Sequence, residues 1–224
     1  MFNSADDSTA TPTSPYRATN CSALAFKPKL KLRLKGRTKR SDHPSLRSVL
    51  TYPKGPGYAN IGRAVVTLPP SQFIDNAHIN SPCTRVQFAA NACPKGSILG
   101  TAEATTPLLG EPLKGRVYFR SNGGERLLPD VVADLNGLFR VILVGKVDSK
   151  KGRIRTTFDQ VPDAPVSKFT LNLYGGKRGL LVNNRNLCAR PLKAKIALTA
   201  KNGRRQETTP VVGTSCKKPK KQKA

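Results

Sequence analysis

Three places in the chain hold residue types that perform nucleophilic or acid–base chemistry. Ser41, Asp42 and His43 are contiguous, whereas a Ser-His-Asp triad needs its three groups to converge from separate parts of a fold. Adjacency inside a basic, proline-containing loop predicts a turn. Carboxylates follow prolines at Pro129-Asp130 and Pro162-Asp163. A paired acid and base would need both, but aspartate after proline bonds its own local backbone and reads as turn chemistry. The GGKRG run over residues 175–179 offers glycines and cations to a phosphate. It lacks the G-x-x-x-x-G-K-[ST] spacing and a following helix, and reads as a hairpin turn between a strand ending at Tyr174 and one over 180–182. His43 and His78 are the only histidines and no two cysteines form a C-x-x-C pair, so no metal site and no cofactor is expected. The expectation is a protein that is not an enzyme.

Cysteine spacing points instead to cross-links. Cys83 and Cys93 bracket nine residues, a loop whose closure stabilises by about 2 to 3 kcal/mol in the chain-entropy model. Asn202-Gly203 is a two-residue hairpin signal. That register sets Cys188 opposite residue 217, so one bulge or a three-residue turn brings it opposite Cys216. Cys21 is left over: buried, exchanged with one of those partners, or joined to another copy of the protein. Five reduced thiols in a cytosolic protein is the competing reading, because disulfides follow compartment.

Charge is the strongest functional signal. Lys and Arg number 39 against 13 Asp and Glu, a net charge of +26. Residues 27–40 hold eight cations and no acid, among them Lys29, Lys31, Arg33, Lys35, Arg37, Lys39 and Arg40. The C-terminal run adds Lys217, Lys218, Lys220, Lys221 and Lys223. Such clusters attract polyanions, whether nucleic acid, anionic cell-envelope polymers, acidic polysaccharides or lipid head groups. Single-strand binders interleave aromatic residues for base stacking, and only Phe26 lies near this run. The structural alternative is a sheet edge guarded by lysines against edge-to-edge pairing.

The elements that position these residues are strands. From Ala23 the pattern has period two, with Leu30, Leu32 and Leu34 on one face and Lys29, Lys31, Arg33 and Lys35 on the other. Further strands are predicted over 46–51, 64–68, 98–105, 116–120, 131–135, 139–147, 154–158, 168–174, 179–182, 194–200 and 207–212, most bounded by Gly, Pro or Asn. Helical signals are confined to one or two turns after Ser71, through Phe73, Ile74 and Ala77, and to residues 84–92. The expected fold is an all-β antiparallel sandwich, Ig-like or related, over residues 21–216. Two smaller sandwiches meeting near Asn136 and Gly137 are the alternative. Residues 1–20, rich in Ser, Thr, Pro and Asp, read as a disordered linker, and residues 217–224 as a mobile basic tail. No apolar run approaches the roughly 18 residues of a helical membrane span. Asp6 and Asp7, with no apolar stretch after them, do not make a signal peptide, so an exported protein would carry its signal outside this chain.

The order of motifs along the chain resembles an uncharacterised family of actinobacterial secreted or cell-surface domains. The resemblance is carried by Asn20-Cys21-Ser22-Ala23-Leu24, Cys93-Pro94, Ser97-Ile98-Leu99-Gly100, Thr106-Pro107-Leu108-Leu109, Pro112-Leu113-Lys114-Gly115, Val117-Tyr118 and Leu128-Pro129-Asp130. It continues through Val161-Pro162-Asp163-Ala164-Pro165-Val166, Gly175-Gly176, Gly179-Leu180-Leu181-Val182-Asn183 and Asn186-Leu187-Cys188. It implies export, oxidised cysteines and tandem copies in which Cys21 bonds the preceding unit. The resulting expectation is a non-catalytic cell-surface structural or adhesion domain that holds anionic cell-envelope polymer on its basic face. The competing expectation is a cytosolic nucleic-acid-binding protein with reduced cysteines.

Overall fold

The computed structural model describes residues 19–216 except 54, 56, 76 and 78–81. All but the last two residues of the expected linker, and the whole lysine tail, lie outside the described residues. In chain order the strands are β1 Lys29–Lys35, β2 Ser45–Thr51, β3 Ile61–Thr67, β4 Gln72–Ile74, β5 Ile98–Thr105, β6 Leu113–Arg120 and β7 Asp130–Asn136. They continue as β8 Val141–Lys150, β9 Arg153–Phe158, β10 Lys168–Leu173, β11 Leu181–Asn183, β12 Lys195–Ala200 and β13 Arg205–Thr208. Among the described residues one short α-helix, α1 Arg85–Ala89, is set between β4 and β5. The class is all-β and antiparallel, as the alternating patterns predict.

Eleven strands share one sheet in the order β1-β2-β10-β5-β6-β7-β8-β9-β3-β12-β13, and β4 pairs with β11 apart from it. The large sheet curls until its ends meet. Beyond β13 the Val212 amide donates to the Leu192 carbonyl at 2.7 Å, while on the other side the Leu34 amide donates to Gly213 (2.8 Å) and the Gly213 amide to Leu32 (2.9 Å). Residues 210–213 therefore bridge the last strands to the first, and the edge of β1 is already paired at Leu32–Leu34. Asn136 and Gly137 fall at the hairpin between β7 and β8, both in the large sheet.

Alternation fills the inside of the curl. Leu32, Leu34, Leu46, Leu113, Val117, Phe119, Val131, Ala133 and Leu135 are buried in one cluster, each completing the inward face that period-two patterning assigns. The tight curl needs neighbouring backbones to approach where a side chain would intervene. A Cβ on Gly115 would lie 1.6 Å from the Asp134 carbonyl oxygen, and one on Gly100 would lie 1.8 Å from that of Asn172. Glycine removes the obstacle.

A smaller cluster sits on the outer side of β6 and β7, where Cys83, Phe88 and Val132 are buried against Tyr118 and Cys93. The Phe88 and Tyr118 rings meet edge to face at 5.6 Å. Thr84 caps α1, its hydroxyl accepting from the Gln87 amide (3.1 Å) while the Gln87 side chain accepts from the Thr84 amide (3.0 Å). This capping box starts the helix expected over 84–92, which is shorter than its pattern. The other expected helix is corrected. Residues 72–74 are strand β4, because the buried Gln72 amide donates to the Asn183 side-chain carbonyl across the β4–β11 pair at 2.9 Å. That buried bond and the β4–β11 pairing outweigh a helix signal only a few residues long.

Candidate polyanion-binding face

Lys29, Lys31, Arg33 and Lys35 are all exposed, and the intervening leucines turn inward. The ladder extends this face. Arg33 stands opposite Arg47 on β2, and Thr51 lies between Lys29 on one side and Lys168 of β10 on the other. Arg47 and Lys168 were not singled out by the sequence, although antiparallel pairing of a KLKLRLK strand with SLRSVLT could have located Arg47. Like charges set directly across a ladder destabilise it. Among the described residues no carboxylate is within ion-pair distance of any β1 cation.

Arg37, Lys39 and Arg40 are exposed on the loop between β1 and β2, which Asn183 holds in place. The buried Asn183 amide nitrogen donates to the carbonyls of Arg37 (3.4 Å) and Lys39 (3.0 Å). Its backbone accepts from Ser41 (2.7 Å) and donates to Asp42 (2.9 Å). The sequence offers no signal for this role, since Asn183-Asn184 reads as a turn. Replacing Asn183 by leucine strands the Gln72 amide and two carbonyls, each unmade partner costing about 1 to 3 kcal/mol. Urea unfolding should show a loss of about 3 kcal/mol, with faster amide exchange over residues 37–42.

Several cations elsewhere, Arg63, Arg85, Arg120, Arg126, Arg140, Lys146 and Arg155, are instead paired with carboxylates within the fold. Asp130 is buried, accepts from Arg126 at 2.8 Å and has Arg120 at 3.8 Å. Burial lowers the Arg120 pKa against the opposing pull of Asp130. Arg140 grips Asp134 through two hydrogen bonds of 2.7 and 3.0 Å, and Arg120 and Arg140 both lie over the Phe88 ring. Asp130 is therefore an ion-pair partner, correcting its reading as a turn residue. Asp163 also reaches beyond its own turn, accepting from the Asn60 amide at 2.9 Å.

Asp159 accepts from Arg63 (2.8 Å) and Lys146 (3.1 Å), and the Arg63 hydrogen bond is the main cause holding its carboxyl below the ordinary value. A depressed folded-state value contributes stability present above the unfolded pKa of about 4 and lost as pH falls through the folded one. Acid titration should therefore loosen the β9–β10 connection only below about pH 4. Asp159→Asn should remove that acid-dependent change, read as amide exchange over residues 159–167.

The contiguous Ser41, Asp42 and His43 face different partners. The Asp42 carboxylate accepts from the Lys39 amide at 2.9 Å, and the His43 imidazole pairs with Asp75 at 2.6 Å. His78 lies outside the described residues. The GGKRG run is not a hairpin, which corrects its reading from the sequence: residues 176–178 form a 3-10 turn, and β10 and β11 belong to different sheets. Its glycines allow close packing on the β1–β2 loop. A Cβ on Gly175 would lie 2.5 Å from the Ser45 nitrogen, and one on Gly179 would lie 2.7 Å from the His43 Cβ.

Cys83 is bonded to Cys93 and Cys188 to Cys216, with Cα separations of 5.1 and 5.5 Å. The second pairing follows from the hairpin register. Ala200 accepts from Gly203 and donates to Arg204, so Lys201-Asn202-Gly203 is a three-residue turn with Gly203 at φ 83°. Cys21 is exposed and free, which corrects the expectations that it is buried or takes the place of a bridged cysteine, since the other four pair among themselves. Among the described residues no three His, Cys, Asp or Glu side chains gather as a metal site, and no helix is long and apolar enough to cross a membrane. No family model, curated protein or solved structure matches the chain.

Proposed function

We propose that the protein is a non-catalytic, extracytoplasmic β domain, secreted or displayed on the cell surface, that holds anionic envelope polymers on the outward face of β1. Its role in this reading is cell-surface structure or adhesion. The observation that carries it is the row Lys29, Lys31, Arg33 and Lys35, without a carboxylate partner among the described residues, on a strand whose edge is already covered at Leu32–Leu34. Guarding an open edge does not account for cations there. Alternate residues of a strand repeat at about 7 Å, giving a linear polyanion a rigid array of charges. Nucleic acid is the weaker reading, because the row carries no aromatic residue for base stacking. We also read the curled sheet as a sandwich in the broad sense, β2 and β10 facing β3 and β12 across a shared core.

The two disulfides support an oxidising compartment, as does the resemblance to actinobacterial exported domains. The exposed Cys21 is the group that would join a preceding copy of the domain. A non-reducing peptide map of the protein from its own host should recover Cys83–Cys93 and Cys188–Cys216 as linked peptides. Five alkylatable thiols would overturn the compartment, and a freely alkylated Cys21 in the natural product would overturn its intermolecular role. Attachment itself is tested by retention on isolated cell envelopes, which should fall steeply as salt rises.

A further inference from the structure

The curled sheet is not filled. Between its inward faces lies a cavity of about 200 Å³, lined among others by Leu50, Val66, Ala104, Leu135, Val141 and Phe169. A second cavity, of about 90 Å³, continues along the same interior. The two share Ser48, Val66, Phe158 and Phe169 as a common waist.

The larger cavity opens at one end of the sheet. Leu108 on the β5–β6 connection and Phe139 on the β7–β8 connection both line it and are 66% and 48% exposed, and the neighbouring Leu138 is 85% exposed. The β9–β10 connection crosses this mouth, setting Val161, Pro162, Ala164, Pro165 and Val166 against the cavity. It is fastened by Asp159 to Arg63 and Lys146 and by Asp163 to Asn60. The phenol of Tyr52, at the same mouth, is committed to the Ala59 carbonyl at 3.2 Å.

Native interiors leave few voids larger than a water molecule, and a water needs two to four polar partners, whereas apart from Ser48, Tyr52, Asn60 and Thr106 these walls are apolar. We propose that this cavity is a binding site for a single aliphatic chain, entering between Leu108 and Phe139 with its polar head left at the mouth. A dry cavity of about 150 Å³ accommodates benzene, so the larger chamber takes roughly eight carbons. An inward-opening tube with apolar residues at its rim suits a flexible chain better than a polar or charged ligand. This site is independent of the cationic face on the outside of β1.

Isothermal titration with decanoate and with 1-decanoyl-lysophosphatidylglycerol, each below its micelle concentration, tests the proposal. Saturable binding of one molecule per chain is expected. Binding of decanoate alone identifies a free acid as the source of the chain, and binding of the lysolipid identifies a lipid-borne one. Ala104→Leu, which pushes a branched side chain into the chamber, should weaken binding at least tenfold. Leu135→Ala, which enlarges the chamber, should move the preferred chain, read across octanoate, decanoate and dodecanoate, to a longer one than the parent prefers, and so reads out the site even if Ala104→Leu does not fold. Absence of saturable binding of either ligand overturns the proposal, as does binding whose affinity and chain-length preference neither variant changes.

Discussion

Gly115→Ala should lose about 4 kcal/mol or more of stability, a large fraction of the roughly 5 to 15 kcal/mol that holds an ordinary domain folded. The added methyl would overlap the Asp134 carbonyl, 1.6 Å from the Cβ position, and that carbonyl belongs to the neighbouring strand β7. The clash is with backbone inside a ladder that continues in register from Lys114–Asn136 to Arg120–Asp130. Relief therefore requires the β6–β7 pair to separate where the sheet curls. Gly96→Ala is the matched control, since nothing lies within 4 Å of its Cβ position. Urea unfolding of both variants checks this: Gly96→Ala should keep the parent midpoint and Gly115→Ala should not. An unchanged midpoint for Gly115→Ala would show that the strands do not approach as described.

The second large effect falls on binding. Reversing Lys31, Arg33 and Lys35 to glutamate should weaken attachment to a linear polyanion about a hundredfold or more, taking roughly 1 kcal/mol per lost surface cation near an anionic surface. All three side chains are exposed and point away from the core, so the fold should survive. Thermal unfolding and near-UV circular dichroism should match the parent. The same three reversals at Arg120, Arg126 and Arg140 would not be equivalent, because those guanidiniums serve Asp130 and Asp134. Equal attachment of the β1 triple variant and the parent would remove β1 from the binding face.

Much of this was legible in the residues, and what escaped did so for identifiable reasons. The KLKLRLK alternation dictated both which face of β1 turns inward and which cations are displayed, because side chains on a strand have period two. Turn residues marked most strand limits, and the distance from Asn202-Gly203 to Cys188 and Cys216 contained their pairing once the turn took three residues. Gln72–Ile74 read as the start of a helix because Pro69, Pro70 and Ser71 imitate a helix start. Its strand character comes from Asn183, more than a hundred residues later. Closure of the sheet through residues 210–213 depends on backbone hydrogen bonds to Leu32 and Leu34, which side-chain patterns do not encode. The cavity is the least legible feature. Each strand contributes ordinary inward residues, and the unfilled space appears only when the volumes of many strands are placed around one interior.

The row of cations on β1, without a carboxylate partner among the described residues, is proposed to hold an anionic polymer by screened electrostatics. The most direct measurement is the affinity of the parent protein for poly(glycerol phosphate) across a salt series from 50 to 500 mM, alongside the triple reversal of Lys31, Arg33 and Lys35. The parent should show log affinity falling linearly with log salt, and the triple variant should bind weakly with a markedly shallower slope. A salt-independent affinity, or the same slope in both proteins, would contradict it.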